Sequence, residues 1–197
     1  MPRLGRRKVR SELKELLMLL TLKLAGPVGR YRLKKMLGLS EHEGLVRLML
    51  ADLRKGGYVS SGRRGSKLTV NGEGLLEQRL KAHGIVDFKD VNMKPLKTGR
   101  FSVGVHLLGK ANAIQSCMKQ RDVAVRAGAT GATILTLKEG LLSIPTVYRN
   151  FSSEYPNLAD QIHRLFNLAD GDVLIIASAE DRWRALEGAL AAAEATA

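Results

Sequence analysis

A double glycine, Gly56-Gly57, separates two kinds of pattern in the first part of the chain and restricts its fold more than any other feature. Before it, apolar residues recur at helical spacing, and residues 40–43, Ser-Glu-His-Glu, form a capping box that begins a helix ending near Lys55. After it, two short β-type segments flank the basic loop Gly62-Arg63-Arg64-Gly65. The sequence therefore predicts a helix that stops abruptly, followed by a tight two-stranded hairpin.

Similar patterns define the other elements of this region. Leucine spacing predicts a first helix with Ser11 as its N-cap, and Gly26-Pro27 ends it. The predicted helices span residues 11–25, 31–38, 40–55 and 72–83, and the predicted strands span residues 58–60 and 67–70. This order resembles the winged helix-turn-helix domains of transcription regulators. The resemblance is carried by LGLS at 37–40, LRKGGYV at 53–59 and LTVNGEG at 68–74.

Positive charge is concentrated in the same region. The 197 residues include 32 Lys or Arg and 19 Asp or Glu, a net charge of +13. Residues 1–83 hold 19 basic and 7 acidic side chains, whereas residues 84–197 hold 13 and 12. Such an asymmetry indicates a polyanionic partner, and a solvated basic face without a partner is the alternative. Residues 1–10 are predicted to form a basic N-terminal arm.

The winged-helix resemblance implies where DNA would be contacted. The helix from Ser40 would lie in the major groove, and the hairpin loop would contact the minor groove or its phosphates. Arg47 is the best candidate for a base contact because an arginine fork donates two bonds to guanine, while Glu43 is expected to cap the helix. The candidate DNA-binding residues are Arg30, Tyr31, Arg32, His42, Arg47, Arg63, Arg64 and Lys67.

The second half has the pattern of an α/β sandwich, with a boundary near His83-Gly84 and residues 84–100 as a linker or an extra strand. The predicted strands span residues 101–108, 132–137, 141–144 and 172–177, and the predicted helices span residues 112–126, 158–168 and 180–195. This β-α-β-β-α-β order is the ferredoxin-like, or split βαβ, plan, so the chain is predicted to be α+β. Residues 101–197 are expected to form a domain for dimerisation and ligand sensing, because an open sheet offers a surface for both.

Two further resemblances concern the whole chain. Through RDVAVRAGATGAT at 121–133 and LSIP at 142–145, it resembles an archaeal group of two-domain winged-helix proteins of uncharacterised function. The layout is also similar to that of small-molecule-responsive regulators of the leucine-responsive type, although the wing differs from theirs. The archaeal resemblance implies an architecture and no particular activity.

One cluster in the second half has the chemistry of a ligand site. Arg121, Asp122, Arg126 and Thr130 flank a glycine-rich turn, and arginine forks and backbone N–H groups suit carboxylates and other anions. The alternative is a surface ion pair between Asp122 and Arg126, followed by a helix end at Gly128. The sequence leaves both interpretations open.

Residues that commonly carry catalysis or bind metals are scattered. His42, His83, His106 and His163 lack metal-ligand spacing, and GVHLLGKA at 104–111 lacks the final Ser or Thr of a phosphate-binding loop. The single cysteine, Cys117, is predicted to be a buried apolar residue on a helix face with Ile114, Met118 and Val125. We therefore expect no enzymatic activity, no cofactor and no metal.

These features favour a cytoplasmic DNA-binding transcription regulator that binds duplex DNA as a homodimer, with a small-molecule effector as a further expected partner. The alternatives are an RNA- or ribosome-associated binding protein and a winged helix used for protein interaction. We expect no membrane partner, because the apolar stretch 16–24 is short and is interrupted by Thr21 and Lys23.

Overall fold

The structure is a computed structural model that describes the backbone of residues 3–196 and the side chains of residues 12–196. The chain divides into two compact units, one ending at Arg79 and the other beginning at Leu80. The first is mainly helical and the second is built on a five-stranded antiparallel sheet. The predicted α+β class is confirmed.

The first unit contains three helices, a hairpin and the start of a fourth helix. Its elements are α1 Arg3–Ala25, α2 Arg30–Met36, α3 Glu43–Lys55, β1 Val59–Gly62, β2 Gly65–Leu68 and α4 Val70–Ala82. The predicted apolar stripe of α3, formed by Val46, Met49, Leu50 and Leu53, is buried. The helices therefore pack through the faces that the leucine spacing indicates.

Two of the four predicted helix starts in this unit, those of α1 and α3, are wrong. Helix α1 begins at Arg3 rather than at Ser11, so the predicted basic arm is helical from Arg3, because Leu, Arg and Lys favour helix. The side chains of residues 3–11, and hence the contacts of that arm, lie outside the described part. The N-cap of α3 is His42, and no side-chain cap bond forms there, so Ser40 and Glu43 do not make a capping box.

The second unit contains the strands β3 to β7 in the sheet order β3-β4-β7-β5-β6. Its elements are β3 Ile85–Asp90, β4 Phe101–Leu107, α5 Met118–Arg126, β5 Gly131–Lys138, β6 Leu141–Ser143, α6 Phe151–Glu154, α7 Pro156–Leu165, β7 Val173–Ala179 and α8 Arg182–Glu194. Residues 84–100 thus supply an extra edge strand, β3, which pairs with β4. Helices α5 and α8 pack against the sheet and against each other.

Strand β7 lies between β4 and β5 and is antiparallel to both. Strands β4 and β5 therefore run in the same direction and are linked through α5, which is the split βαβ arrangement. The order differs from the ferredoxin-like one, in which the second hairpin strand is internal and the last strand is at an edge. Here the hairpin strand β6 is at the edge, and β7 is buried along its whole length.

The predicted helix 112–126 is wrong in its start and in its buried face. A short 3-10 turn covers Ala111–Ala113, and α5 begins only at Met118. Because the break shifts the helical phase, Met118 and Val125 are 54% and 43% exposed, while Gln120 and Ala124 face inward. Ile114 and Cys117 are buried as predicted.

Candidate nucleic-acid interface

The hairpin presents two arginines at its tip. Gly62 pairs with Gly65 in the ladder between β1 and β2, so Arg63 and Arg64 form a two-residue turn. Both side chains are exposed, and so is Lys67 on β2. The predicted basic loop is therefore a tight projection that carries two guanidinium groups outside the core.

The hairpin is joined to the segment that precedes α2. Val28 and Ser66 exchange two backbone hydrogen bonds of 2.9 Å, which form an isolated bridge beside β2. Gly65 makes this approach feasible, because its φ is +115° and a Cβ there would lie 2.4 Å from the carbonyl carbon of Val28. Since Arg30 lies two residues after Val28, the start of α2 is held near the turn end of the hairpin.

The first turn of α2 carries exposed cationic and aromatic side chains. Tyr31 is 77% exposed, and Arg32 and Lys35 are exposed beside it. Lys34 lies over the Tyr31 ring, with its Nζ 5.0 Å from the ring centroid. Lys35 was not predicted as a contact residue, although its place one turn after Arg32 would have indicated it.

Glu43 neutralises part of this cationic surface. Lys34 Nζ donates to its carboxylate at 3.2 Å, and Arg30 lies 3.4 Å from its other oxygen. The hydrogen bond from Lys34, together with the charges of Lys34 and Arg30, holds the pKa of Glu43 below its ordinary value. Arg30 is therefore already paired, whereas Arg32 lies outside this ion-pair cluster.

The outer face of α3 combines one cation with apolar side chains. His42 and Arg47 are exposed as the sequence pattern requires, because they lie opposite the buried stripe. Leu45 and Leu48 are also exposed, at 41% and 58%. Sequence reasoning missed both leucines, although their spacing from Val46 and Met49 already put them on the outer face.

Among the side chains described in this unit, four exposed cations remain outside its ion pairs. Within residues 12–196, Arg47, Arg63, Arg64 and Lys67 take part in no ion pair. Such side chains keep their charge available for an external anion, and arginine forks match phosphate oxygens and guanine edges. An exposed leucine can contact a thymine methyl group.

The candidate ligand residues of the second unit do not converge. Arg121, Asp122, Arg126 and Thr130 are all exposed. Arg126 Nε donates to the backbone carbonyl of Asp122 at 3.2 Å rather than to its carboxylate, and Thr130 Oγ1 donates to the carbonyl of Ser178 at 2.9 Å. Helix α5 ends just before Gly128, whose φ is +108°. These residues therefore lie on the surface of α5 and the turn after it.

Cys117 is buried, and its Sγ donates to the carbonyl of Pro145 at 3.2 Å. Burial raises the pKa of this thiol to about 11, so the nucleophilic thiolate is scarce at neutral pH. No group of three or more His, Cys, Asp or Glu side chains suited to a metal occurs among the residues described.

A buried histidine–aspartate pair was not predicted. His106 Nε2 lies 2.8 Å from Asp172 Oδ2, and the two residues are 66 positions apart. Asp172 also accepts from the backbone N–H groups of Gly109 and Ala169, both at 2.9 Å. Burial raises the pKa of Asp172, but the hydrogen bonds from Ala169, Gly109 and His106 outweigh it and hold that pKa below its ordinary value.

Comparison with known proteins identifies the family through the second unit. A family model described as a domain of unknown function, DUF4443, matches residues 98–196. The chain belongs to this family. DUF4443 thus spans β4 to α8, including the His106–Asp172 pair, and carries no assigned activity.

The complete fold is also similar to a solved structure. A hypothetical protein from Pyrococcus horikoshii OT3 is 24% identical and superimposes with a TM-score of 0.68 over 93% of this chain and 91% of that one. At this identity, the likeness concerns the fold alone. No curated protein matches the chain significantly. Within the described residues, no helix is both long and apolar enough to cross a membrane.

Proposed function

We propose that this protein is a DNA-binding transcription regulator whose first unit is a winged helix that binds duplex DNA. The observation that carries the proposal is the set of unpaired, exposed arginines on α3 and on the hairpin turn, Arg47, Arg63 and Arg64. The order of α1 to α4 around a short hairpin supports it, because that is the order of elements in winged helices. The expected compartment is the cytoplasm.

Each part of this surface has a proposed role. Helix α3 enters the major groove, where Arg47 donates to a guanine edge and Leu48 contacts a thymine methyl group. The hairpin turn reaches the flanking minor groove or its phosphates through Arg63 and Arg64, with Lys67 beside them. Arg32 and Tyr31 bind the backbone at the start of α2, and His42 lies at the N-cap of α3 near the same groove.

The second unit is proposed to pair two copies of the chain. Binding two half-sites at once multiplies the affinity of weak single contacts, which is how many winged helices achieve useful binding. Strands β3 and β6 form the two edges of the sheet, and the six-residue β3 is the candidate pairing surface, because a three-residue edge strand such as β6 resists pairing. Sedimentation equilibrium of the full chain tests this part, and a monomer at all concentrations would contradict it.

The test of DNA binding is fluorescence anisotropy of a labelled duplex and a matched RNA hairpin over a range of salt concentrations. The Arg63→Ala/Arg64→Ala variant should weaken duplex binding about tenfold or more and reduce the salt slope by about 1.8, since each lost phosphate contact removes about 0.9. Arg121→Ala/Arg126→Ala removes the same charge from exposed positions of the second unit and serves as the matched control. It should change duplex affinity less than about twofold.

The outcomes separate the rival functions. Tighter binding of the RNA hairpin than of the duplex at equal salt would favour an RNA- or ribosome-associated role. Equal losses in the two double variants would mean that net charge alone drives binding. Absence of binding to both nucleic acids would reject the proposal and favour a winged helix used for protein interaction.

A further inference from the structure

A pocket opens in the second unit where β3 ends and β4 begins. It has a volume of about 370 Å³, which is in the range of small-molecule sites, and it is separate from the surface of α5 that carries Arg121 and Arg126. Its polar lining consists chiefly of Asp90, Asn92, Lys97, Arg100, Ser102 and Arg182. Three cations and one carboxylate therefore meet at one opening.

Arg182 is held in a fixed orientation within this pocket. Its Nε donates to both carboxylate oxygens of Asp90, at 2.8 and 3.1 Å, and its side chain is only 28% exposed. The ion pair neutralises Asp90 and directs one edge of the guanidinium group to it. The pocket then has an excess of about two positive charges, from Lys97 and Arg100.

The remaining lining is apolar and aromatic. Val91 and Met93 are buried at the inner wall, and Phe101 is 38% exposed at the opening. The guanidinium carbon of Arg100 lies 5.4 Å from the centroid of the Phe101 ring. An arginine stacked on an aromatic ring presents a flat surface on which another planar group can stack.

The charge of the pocket comes from side chains and not from a helix end. Asp181 caps the N-terminus of α8, because its carboxylate accepts hydrogen bonds from the backbone N–H groups of Trp183 and Arg184. Ser102 is paired with Ser178 at 2.8 Å, so its hydroxyl is already used. Lys97, Arg100 and the outer edge of Arg182 therefore remain as the groups that can bind a ligand.

We propose that this pocket binds a small phosphorylated molecule with a planar ring, of the nucleoside monophosphate class. A phosphate monoester carries about −1.5 to −2 at neutral pH, which matches the excess charge of the pocket. Arg100 and Arg182 bind the phosphate through their N–H groups, and Phe101 contacts the ring. The proposal concerns the second unit alone and does not depend on DNA binding by the first.

Isothermal titration calorimetry of the full chain tests the site with three probes, namely AMP, adenosine and inorganic phosphate. AMP should bind at least about tenfold more tightly than adenosine or inorganic phosphate, because each of these makes only some of the contacts that AMP makes. Arg100→Gln should weaken AMP binding at least about fivefold by removing one charged partner. Arg164→Gln, an equal change at an exposed position of α7, should leave AMP affinity within about twofold.

Arg182→Gln supplies a second, more buried variant, and its thermal melting curve shows whether the second unit still folds. If it is folded, it should also weaken AMP binding at least about fivefold. Adenosine binding as tightly as AMP, or full AMP affinity in Arg100→Gln, would overturn the proposal. So would the absence of heat with all three probes at about 5 mM, because a site of this kind should give at least millimolar affinity.

Discussion

The two units differ in the places where they leave charged side chains unpaired. In the first unit, the arginines of the hairpin turn and of the outer face of α3 have no carboxylate partner within residues 12–196. In the second unit, Arg182 is paired with Asp90, Arg184 with Glu187, and the buried His106 with Asp172. A charge that is paired internally contributes to one unit's own structure, whereas an unpaired exposed charge is available to a partner.

The difference shows that the net charge of a unit does not tell which of its charged side chains form internal ion pairs. The second unit is nearly neutral because its positive and negative side chains balance, and several of them meet each other. The first unit also forms ion pairs, such as Arg30 and Lys34 with Glu43, but it keeps an excess of positive charge that costs self-repulsion. Variants that remove internal pairs should therefore affect stability, and variants that remove exposed cations should affect binding.

The largest effect is expected for Asp172→Ala. The change leaves His106 and the backbone N–H groups of Gly109 and Ala169 without their acceptor in a buried site, so the free energy of unfolding of the second unit should fall by about 3 kcal/mol. Urea unfolding followed by fluorescence of Trp183, the single tryptophan, measures it. Asp160→Ala, on the exposed side of α7, should change stability by less than about 0.5 kcal/mol.

Equal stability losses in these two aspartate variants would show that the buried pair does not hold the second unit together. DNA affinity should be the same in Asp160→Ala and in the wild type. A change there would break the proposed separation between the two units.

A smaller loss is expected for Gly65→Ala. A methyl group there would meet the backbone of Val28 at 2.4 Å, and the φ of +115° disfavours alanine, so we expect a loss of about 2 kcal/mol in the first unit. Gly62→Ala is the matched control, since nothing lies within 4 Å of its added methyl group. Thermal melting followed by circular dichroism compares the two, and similar melting temperatures would mean that the approach of Val28 is dispensable.

Acid should act on the second unit through Asp172. Because its pKa is lower in the folded chain, ionised Asp172 stabilises the fold above its ordinary value of 3.8, and that stabilisation is lost as the pH falls towards the lowered pKa. Asp172→Asn, which cannot ionise, should lack this part of the acid transition in Trp183 fluorescence. An unchanged acid transition in that variant would assign the pH dependence to other carboxyl groups.

The smallest effect is expected for Glu43→Gln. It releases Arg30 and Lys34 from an exposed ion pair, so stability should change by less than about 0.5 kcal/mol. Duplex DNA affinity should rise about two- to fivefold, with a steeper salt dependence, because two cations become available to phosphates. Glu77→Gln, an exposed control on α4, should leave affinity unchanged, and unchanged DNA binding by Glu43→Gln would place α2 outside the interface.

Local patterns predicted the elements that depend on near neighbours. Gly56-Gly57 and the two-residue basic turn determine the end of α3 and the hairpin. The alternating residues 101–108 identify β4, and the apolar run 172–177 identifies β7. The buried face of α3 was also predicted correctly, because four apolar residues at helical spacing lie on one face of the helix, and that face is the one that packs inward. These features need no information about distant parts of the chain.

The errors have physical causes. The capping box at Ser40 failed because α3 begins three residues later, at Glu43, whose carboxylate pairs with Lys34 and Arg30. The face of α5 was wrong because a 3-10 turn interrupts the helical period before Met118. The ladder of β7 and the His106–Asp172 contact join residues that are far apart in sequence, and no local pattern encodes them.

The central position of β7 also has a consequence for synthesis on the ribosome. Strands β4 and β5 are both complete by Lys138, but their shared neighbour begins only at Val173. Until that segment emerges, each of the two strands exposes an edge that can pair with another nascent chain. We therefore expect folding of the second unit to be a late, post-emergence event, and chains released before residue 173 to be prone to aggregation.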